Sequence, residues 1–241
     1  MKTILVVGAS GATGRLLVEE LINCGQEVKV IVRSPKSLPE ALREHPRLSL
    51  IHASISELSD AEIAKHVIGC DAVASCLGHN LTFKGLFGRP RRLVSDATRR
   101  LSQAIQESHP ESPTRFVLMN TTGNRNRDLD EVISFAQKCV IGLLRLLLPP
   151  HADNEDAADY LRTQIGQNHH LIEWVAVRPD GLIDHESVTE YELHTSPMRS
   201  AIFDAGKTSR INVAHFISDL MTDDELWNKW KGQMPVIYNQ A

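Results

Sequence analysis

A short apolar run, Thr3-Ile4-Leu5-Val6-Val7, leads directly into Gly8-Ala9-Ser10-Gly11-Ala12-Thr13-Gly14. That loop in turn opens a segment with Leu16, Leu17, Leu21 and Ile22 on one side and Arg15, Glu19 and Glu20 on the other. A doubly buried run followed by a 3.6-residue period is a strand feeding an amphipathic helix. The glycines fix how the two join. Gly8 permits a tight turn out of the strand, Gly11 lets backbone approach a ligand, and Gly14 lets the helix lie close to the sheet. The helix start, with Ala12 and Thr13, then turns free amides and the positive end of its dipole toward the loop, which suits a pyrophosphate. With the next apolar run at 28–33 the pattern is a βαβ unit, and it favours dinucleotide binding over a plain tight connection.

The rest of the chain repeats the alternation. Further strands are predicted at 48–51, 71–76, 115–120, 174–179 and 235–239, and helices near 39–45, 60–67, 91–108, 129–148, 152–165, 197–205 and 212–221. This predicts an α/β fold, a three-layer Rossmann-like sandwich with a parallel sheet of order 3-2-1-4-5-6 and a small C-terminal substrate lobe. Residues 1–241 are expected to form a single NAD(P)-binding domain, with an insert at 124–170 and lobe elements in 184–241.

Composition narrows the function. Lys and Arg number 26 against 30 Asp and Glu, a formal charge of -4, so there is no global positive field for nucleic acid. Cys24, Cys70, Cys76 and Cys139 form no C-x-x-C pair, and the histidines recur at no ligand spacing, so no metal site is expected. A reducing, cytoplasmic setting fits the cysteines. No signal-peptide pattern opens the sequence, and the greasiest tract, 140–150, is broken by Arg145 and ended by two prolines. It falls short of the ~20 residues of a membrane span.

The GxxGxxG spacing of residues 8–14, with VRS at 32–34, MNTTG at 119–123 and VRPDGL at 177–182, resembles the atypical short-chain dehydrogenase/reductase family. The likeness is to its NmrA-like, NAD(P)H-binding branch, which includes biliverdin-reductase-B-like proteins. The resemblance implies a nicotinamide cofactor across the strand ends and members that either reduce small molecules or sense the nucleotide. Arg33 and Ser34 stand where an acid would select NAD(H); a guanidinium there suits a 2′-phosphate, so NADP(H) is expected over NAD(H). Ala53-Ser54 replaces the Asp that family members carry after strand three, and Ser54 restores that contact only in part. Leu77 and Gly78 match the loop that runs under the cofactor; Asn120 and Pro179 fall at the ends of strands five and six.

The catalytic side is less complete. The wider superfamily pairs Tyr with Lys four residues later, the cation lowering the phenol pKa. Here Tyr160 is followed at that spacing by Gln164, and a packed core role is expected for it. Thr121 matches a hydroxyl beside the reacting carbon, or else caps the turn that follows. His79 is a substrate contact or a surface residue. The resemblance implies that His151 and Asn154 lie over the nicotinamide, with His151 as a proton donor; alternatively Asp153 or Asn154 caps the helix that begins there. The helix at 129–148 is more apolar than one buried stripe requires, so the lobe, a second copy in a homodimer, or an apolar substrate must cover it. Residues 84–92 form a basic patch. The expected function is an NADP(H)-dependent oxidoreductase acting on a small carbonyl or other reducible molecule, with a non-catalytic NADP(H)-sensing protein as the alternative.

Overall fold

The computed structural model describes residues 1–79, 90–129, 131 and 134–240. Strand β1 (Thr3–Val7) is buried from Ile4 onward, as a strand covered on both faces must be. It pairs in parallel with β2 (Glu27–Val32) and β4 (Ala72–Ser75). β3 (Leu48–His52) lies beside β2, β5 (Thr114–Met119) beside β4, and β6 (Ile172–Pro179) beside β5, all parallel. The predicted order 3-2-1-4-5-6 is present and continues through β10 (Val236–Asn239) to β8 (Tyr191–His194), which runs antiparallel to β10. β7 (Gly181–Ile183) and β9 (Lys207–Ser209) form a separate parallel pair.

Alternate strand residues feed two cores, because successive side chains leave a strand on opposite faces. Ile4, Val6, Val28, Val30 and Val117 pack toward α1 (Ala12–Asn23), α7 (Arg210–Thr222) and α8 (Asp224–Trp230). Leu5, Val7, Val73, Phe116 and Leu118 pack toward α3 (Asp60–Val67), α4 (Leu93–Ser108) and α6 (Pro149–Tyr160). A short α2 (Glu40–Arg43) follows β2. Helical layers on both faces of a mostly parallel sheet make the three-layer Rossmann-like sandwich.

Four local expectations are corrected. The helix predicted at 129–148 is α5, Phe135–Leu147, because the Ser134 side chain accepts the Gln137 N–H and starts it there. The helix predicted at 152–165 begins at Pro149, with both prolines in its first turn, and passes after Tyr160 into a π-helical turn, Leu161–Ile165. Proline suits that first turn, where its missing N–H has no partner to lose. The helix predicted at 197–205 is a set of turns: the Ser200 hydroxyl takes the Ile202 and Phe203 amides, and Arg199 forks onto Asp204. The polar stretch 184–195, for which no element was predicted, contains β8, and α8 had no counterpart in the sequence reading.

Candidate functional site

The C-terminal ends of β1 to β4 enclose a cleft of about 290 Å³. Gly8 turns the chain out of β1 at φ +80°, and a Cβ on it would sit 2.4 Å from the Cys76 carbonyl oxygen. A Cβ on Gly14 would sit 2.2 Å from the Gly8 carbonyl oxygen, so these two glycines are required by the packing of loop, helix and β4. Gly11 is different. Its nearest obstacle would be the Gly8 oxygen at 3.2 Å, and it lines the cleft beside the exposed Ser10. Gly11 is also the N-cap of α1, which has no side-chain cap and no acid in its first turn. The amides of Ala12 and Thr13 belong to the group that finds no acceptor inside a helix. Bare amides, no carboxylate and a wall without Cβ atoms fit the pyrophosphate of a dinucleotide.

Arg33, exposed at the end of β2, is the one charged side chain among the described residues lining the cleft. Its carbonyl oxygen is bonded to the His52 ring at 3.0 Å, which leaves the guanidinium uninvolved in that contact. Ser54 lines the cleft with its hydroxyl 2.9 Å from that of Ser56. Ser34 stands at the N-cap position of the 3-10 turn Pro35–Ser37 without a side-chain bond to it, and from that turn it is Ser37 that reaches the cleft. Cys76, Leu77 and Gly78 form the β4 side. Burial pushes the Cys76 thiol up to about 12, so it is no nucleophile.

The first turns of α6 lie across the ends of β4 and β5 and gather the remaining candidates. Asp153, almost fully buried, caps α4 rather than its own helix: its carboxylate accepts the Val94 N–H at 2.8 Å, the Ser95 N–H at 3.0 Å and the Ser95 hydroxyl. His79 Nε2 lies 2.8 Å from the same carboxylate. Burial works to raise the Asp153 pKa, but the bonds from His79, Ser95 and the Val94 amide outweigh it and hold the group below the usual carboxylate range. The expectation that Asp153 or Asn154 caps α6 is therefore corrected; α6 has Leu148 at its N-cap and no side-chain cap.

Asn120 Nδ2 donates to the Asn154 carbonyl oxygen at 3.1 Å, and its Oδ1 accepts the Thr121 N–H at 2.8 Å. Pro179 is buried at the end of β6, where its carbonyl oxygen accepts the Thr122 N–H at 3.1 Å. Thr121 Oγ1 accepts the Gly123 N–H at 3.2 Å, so the hydroxyl does cap its turn, and its hydrogen has no acceptor among the described residues. Gly123 is the meeting point. A Cβ there would lie 3.4 Å from the His151 ring and 3.7 Å from the Thr121 side chain. His151 Nε2 is buried with no hydrogen-bond partner; the Glu155 carboxylate is 3.9 Å away. Burial, and then the Arg145 charge, hold the His151 pKa below its ordinary value. Tyr160 packs at the edge of the core under α4, with the Arg99 guanidinium 5.8 Å from its ring centre.

The partners of two buried charged residues escaped sequence reasoning. Arg178 is fully buried inside β6, and its guanidinium donates to Glu131 at 2.8 and 3.2 Å and to the carbonyl oxygens of Met234, Asn124 and Thr195. The signal was an arginine directly after the apolar run 174–177 and still inside the strand, a place that demands a partner. Asp153 gave no such sign, because its partners lie 58 and 59 residues away. Beyond Gly123 a second cavity, about 400 Å³, opens between α5 and the turns at 196–203. Asn80, residues 84–89 of the basic patch, Val132 and Ile133 fall outside the described residues.

The sequence pattern that defines a family described as NAD(P)H-binding matches residues 8–224. The chain belongs to this NAD(P)H-binding family. Among solved structures, this family member resembles an oxidoreductase of Lactococcus lactis, with a TM-score of 0.70, 17% identity, and coverage of 99% of this chain and 91% of that one. It also resembles a short-chain dehydrogenase/reductase of Veillonella parvula in complex with NADP, with a TM-score of 0.72, 16% identity, and coverage of 100% and 95%. At such identities the likeness is one of fold. An uncharacterized chloroplastic protein of Arabidopsis thaliana is 36% identical over 73 residues, which span 30% of this chain and 25% of that protein. Among the described residues of this NAD(P)H-binding protein, no helix is long and apolar enough to cross a membrane, and no group of three or more His, Cys, Asp or Glu side chains is placed to hold a metal.

Proposed function

We propose that the protein is an NADP(H)-dependent oxidoreductase of the NmrA-like, atypical short-chain dehydrogenase/reductase kind that reduces a small carbonyl or other reducible molecule. The observation that carries this reading is the convergence of Thr121 and His151 on Gly123, with His79 and Asn154 anchored to the same pair of strand ends. A bound nicotinamide nucleotide supplies the hydride. Ser10, Gly11 and the amides of Ala12 and Thr13 hold the pyrophosphate, and the Arg33 fork, beside Ser34 and Ser54, takes the 2′-phosphate. Leu77 and Gly78, on the β4 side of the cleft, and Asn120 and Pro179, at the ends of β5 and β6, would help to hold the dinucleotide. Thr121 donates its free O–H to the substrate oxygen and orients it. The imidazolium form of His151 gives that oxygen its proton, leaving a neutral ring and a hydroxyl product.

A second reading, an NADP(H) sensor without turnover, is favoured by one observation. Tyr160 lies against the core and Arg99 rather than beside a lysine, so the usual proton donor of the superfamily is absent from this cluster. Titration with NADPH and NADH, read by nicotinamide fluorescence and followed by NADPH oxidation on a panel of aldehydes, quinones and flavins, separates the two. NADPH is expected to bind preferentially, and Arg33→Ala to weaken it roughly 10- to 100-fold, the value of one charge-assisted hydrogen bond, with NADH unaffected. Preferential binding without oxidation by any acceptor would leave the sensor. Equal affinity for both nucleotides in wild type would remove the NADP(H) assignment.

A further inference from the structure

The cavity beyond Gly123 is walled by α5 on one side and the 196–203 turns on the other, and its residues define what it can hold. Its apolar wall is Ile141 with Met198 and Phe203, the latter two 69% and 61% exposed, a cost that a bound apolar body would relieve. Three charged side chains line it. Glu131 is occupied on both oxygens by Arg178 and also takes the Asn126 amide. Arg199 is occupied through two of its nitrogens by Asp204, at 3.1 and 2.9 Å. Arg125 has no ion-pair partner among the described residues and is exposed at the cavity mouth. Among the described residues, that leaves one guanidinium without an ion-pair partner in the lining of a cavity with an apolar wall. Gln137, whose Oε1 accepts the Ser200 hydroxyl at 3.0 Å, keeps its NH₂ group as a neutral donor.

We infer that this cavity binds a molecule with an apolar, aromatic-sized body and a single carboxylate, the carboxylate held by Arg125. The inference rests on the oxidoreductase reading above, and it names the substrate class of the same site, since Thr122 and Gly123 line this cavity and His151 lies against Gly123. A planar guanidinium matches two coplanar carboxylate oxygens, and one cation balances one negative charge. A phosphate monoester would require a second cation. The volume falls within the roughly 300–1,000 Å³ of small-molecule sites.

The test compares 2-naphthoate with 2-naphthalenemethanol, which share a ring system and differ in charge. Dissociation constants are measured by calorimetry in the presence of saturating NADPH for wild type, Arg125→Gln and, as a control for net charge in the same loop, Arg127→Gln. Wild type is expected to prefer naphthoate about two- to fivefold, the worth of one exposed charge pair. Arg125→Gln should abolish the preference while keeping its affinity for NADPH, and Arg127→Gln should retain it. No binding of either probe, no preference in wild type, a preference that survives in Arg125→Gln, or tighter binding of 1-naphthyl phosphate than of naphthoate would each overturn the inference. NADPH oxidation is followed separately. Carbonyl turnover without a naphthoate preference leaves the oxidoreductase standing and removes the carboxylate site; the preference without any turnover does the reverse.

Discussion

His151 is a half-buried imidazole whose inward Nε2 has no partner, and partial burial together with Arg145 keeps it from gaining a proton as readily as a free histidine does. The sign of the pH dependence follows. With a folded pKa below the ordinary value near 6.5, the cationic acid accumulates only as pH falls beneath that value. A reduction that draws its proton from His151 should therefore speed up as the solution is acidified, in kcat/KM measured with NADPH. His151→Asn should flatten that profile and slow the reaction by roughly 10² to 10⁴, the usual share of general acid catalysis. A variant that keeps the wild-type slope would take the role away from this ring. His151 and Thr121 were each visible in the sequence as single candidates. Their meeting at Gly123 was not, because it depends on where α6 lands across β5, 30 residues from Thr121 in the chain and fixed by contacts no local pattern encodes.

Helix ends show the same division. α4 starts at Leu93 without a cap from its own neighbourhood, and Asp153 supplies one from another helix. Asp153→Ala would strand two amides and a buried hydroxyl and release His79 from its anchor, at a cost of about 2–3 kcal/mol. Its carboxyl titrates below the ordinary value in the folded protein, so its contribution is present above about pH 4 and is lost as pH falls through the folded pKa. Urea unfolding should show the gap between wild type and Asp153→Ala at neutral pH, narrowing in acid. Elements with their own internal periodicity, such as β1, α1 and α3, were legible, and α3 proves to start on a Ser59–Glu62 capping box. The 197–205 segment was misread because Ser196-Pro197 looks like a helix start, while the Ser200 hydroxyl and the Arg199–Asp204 pair hold turns there instead.

Over the whole molecule, Arg178 ties together separate pieces of chain through Asn124 and Glu131 after β5, Thr195 after β8 and Met234 on the approach to β10. Glu131→Gln would leave a fully buried guanidinium facing a neutral amide, and about 3 kcal/mol of stability should go with it. Chemical denaturation would show this as a lower midpoint, and NADPH affinity should change little because the pair lies outside the glycine-loop cleft. The six-strand order was legible because each strand is an apolar run after a helical period. The extension through β10 to β8 was only half legible, since Tyr191–His194 alternates with polar residues as an edge strand does. That extension also orders events during synthesis. β10 lies between β6 and β8, yet it is made after both, so a nascent chain that has reached residue 194 still has an open seam along β6. Until residues 236–239 leave the ribosome, that seam is a hydrogen-bonding edge to shield, and the interval is the one in which a chaperone would have most to protect.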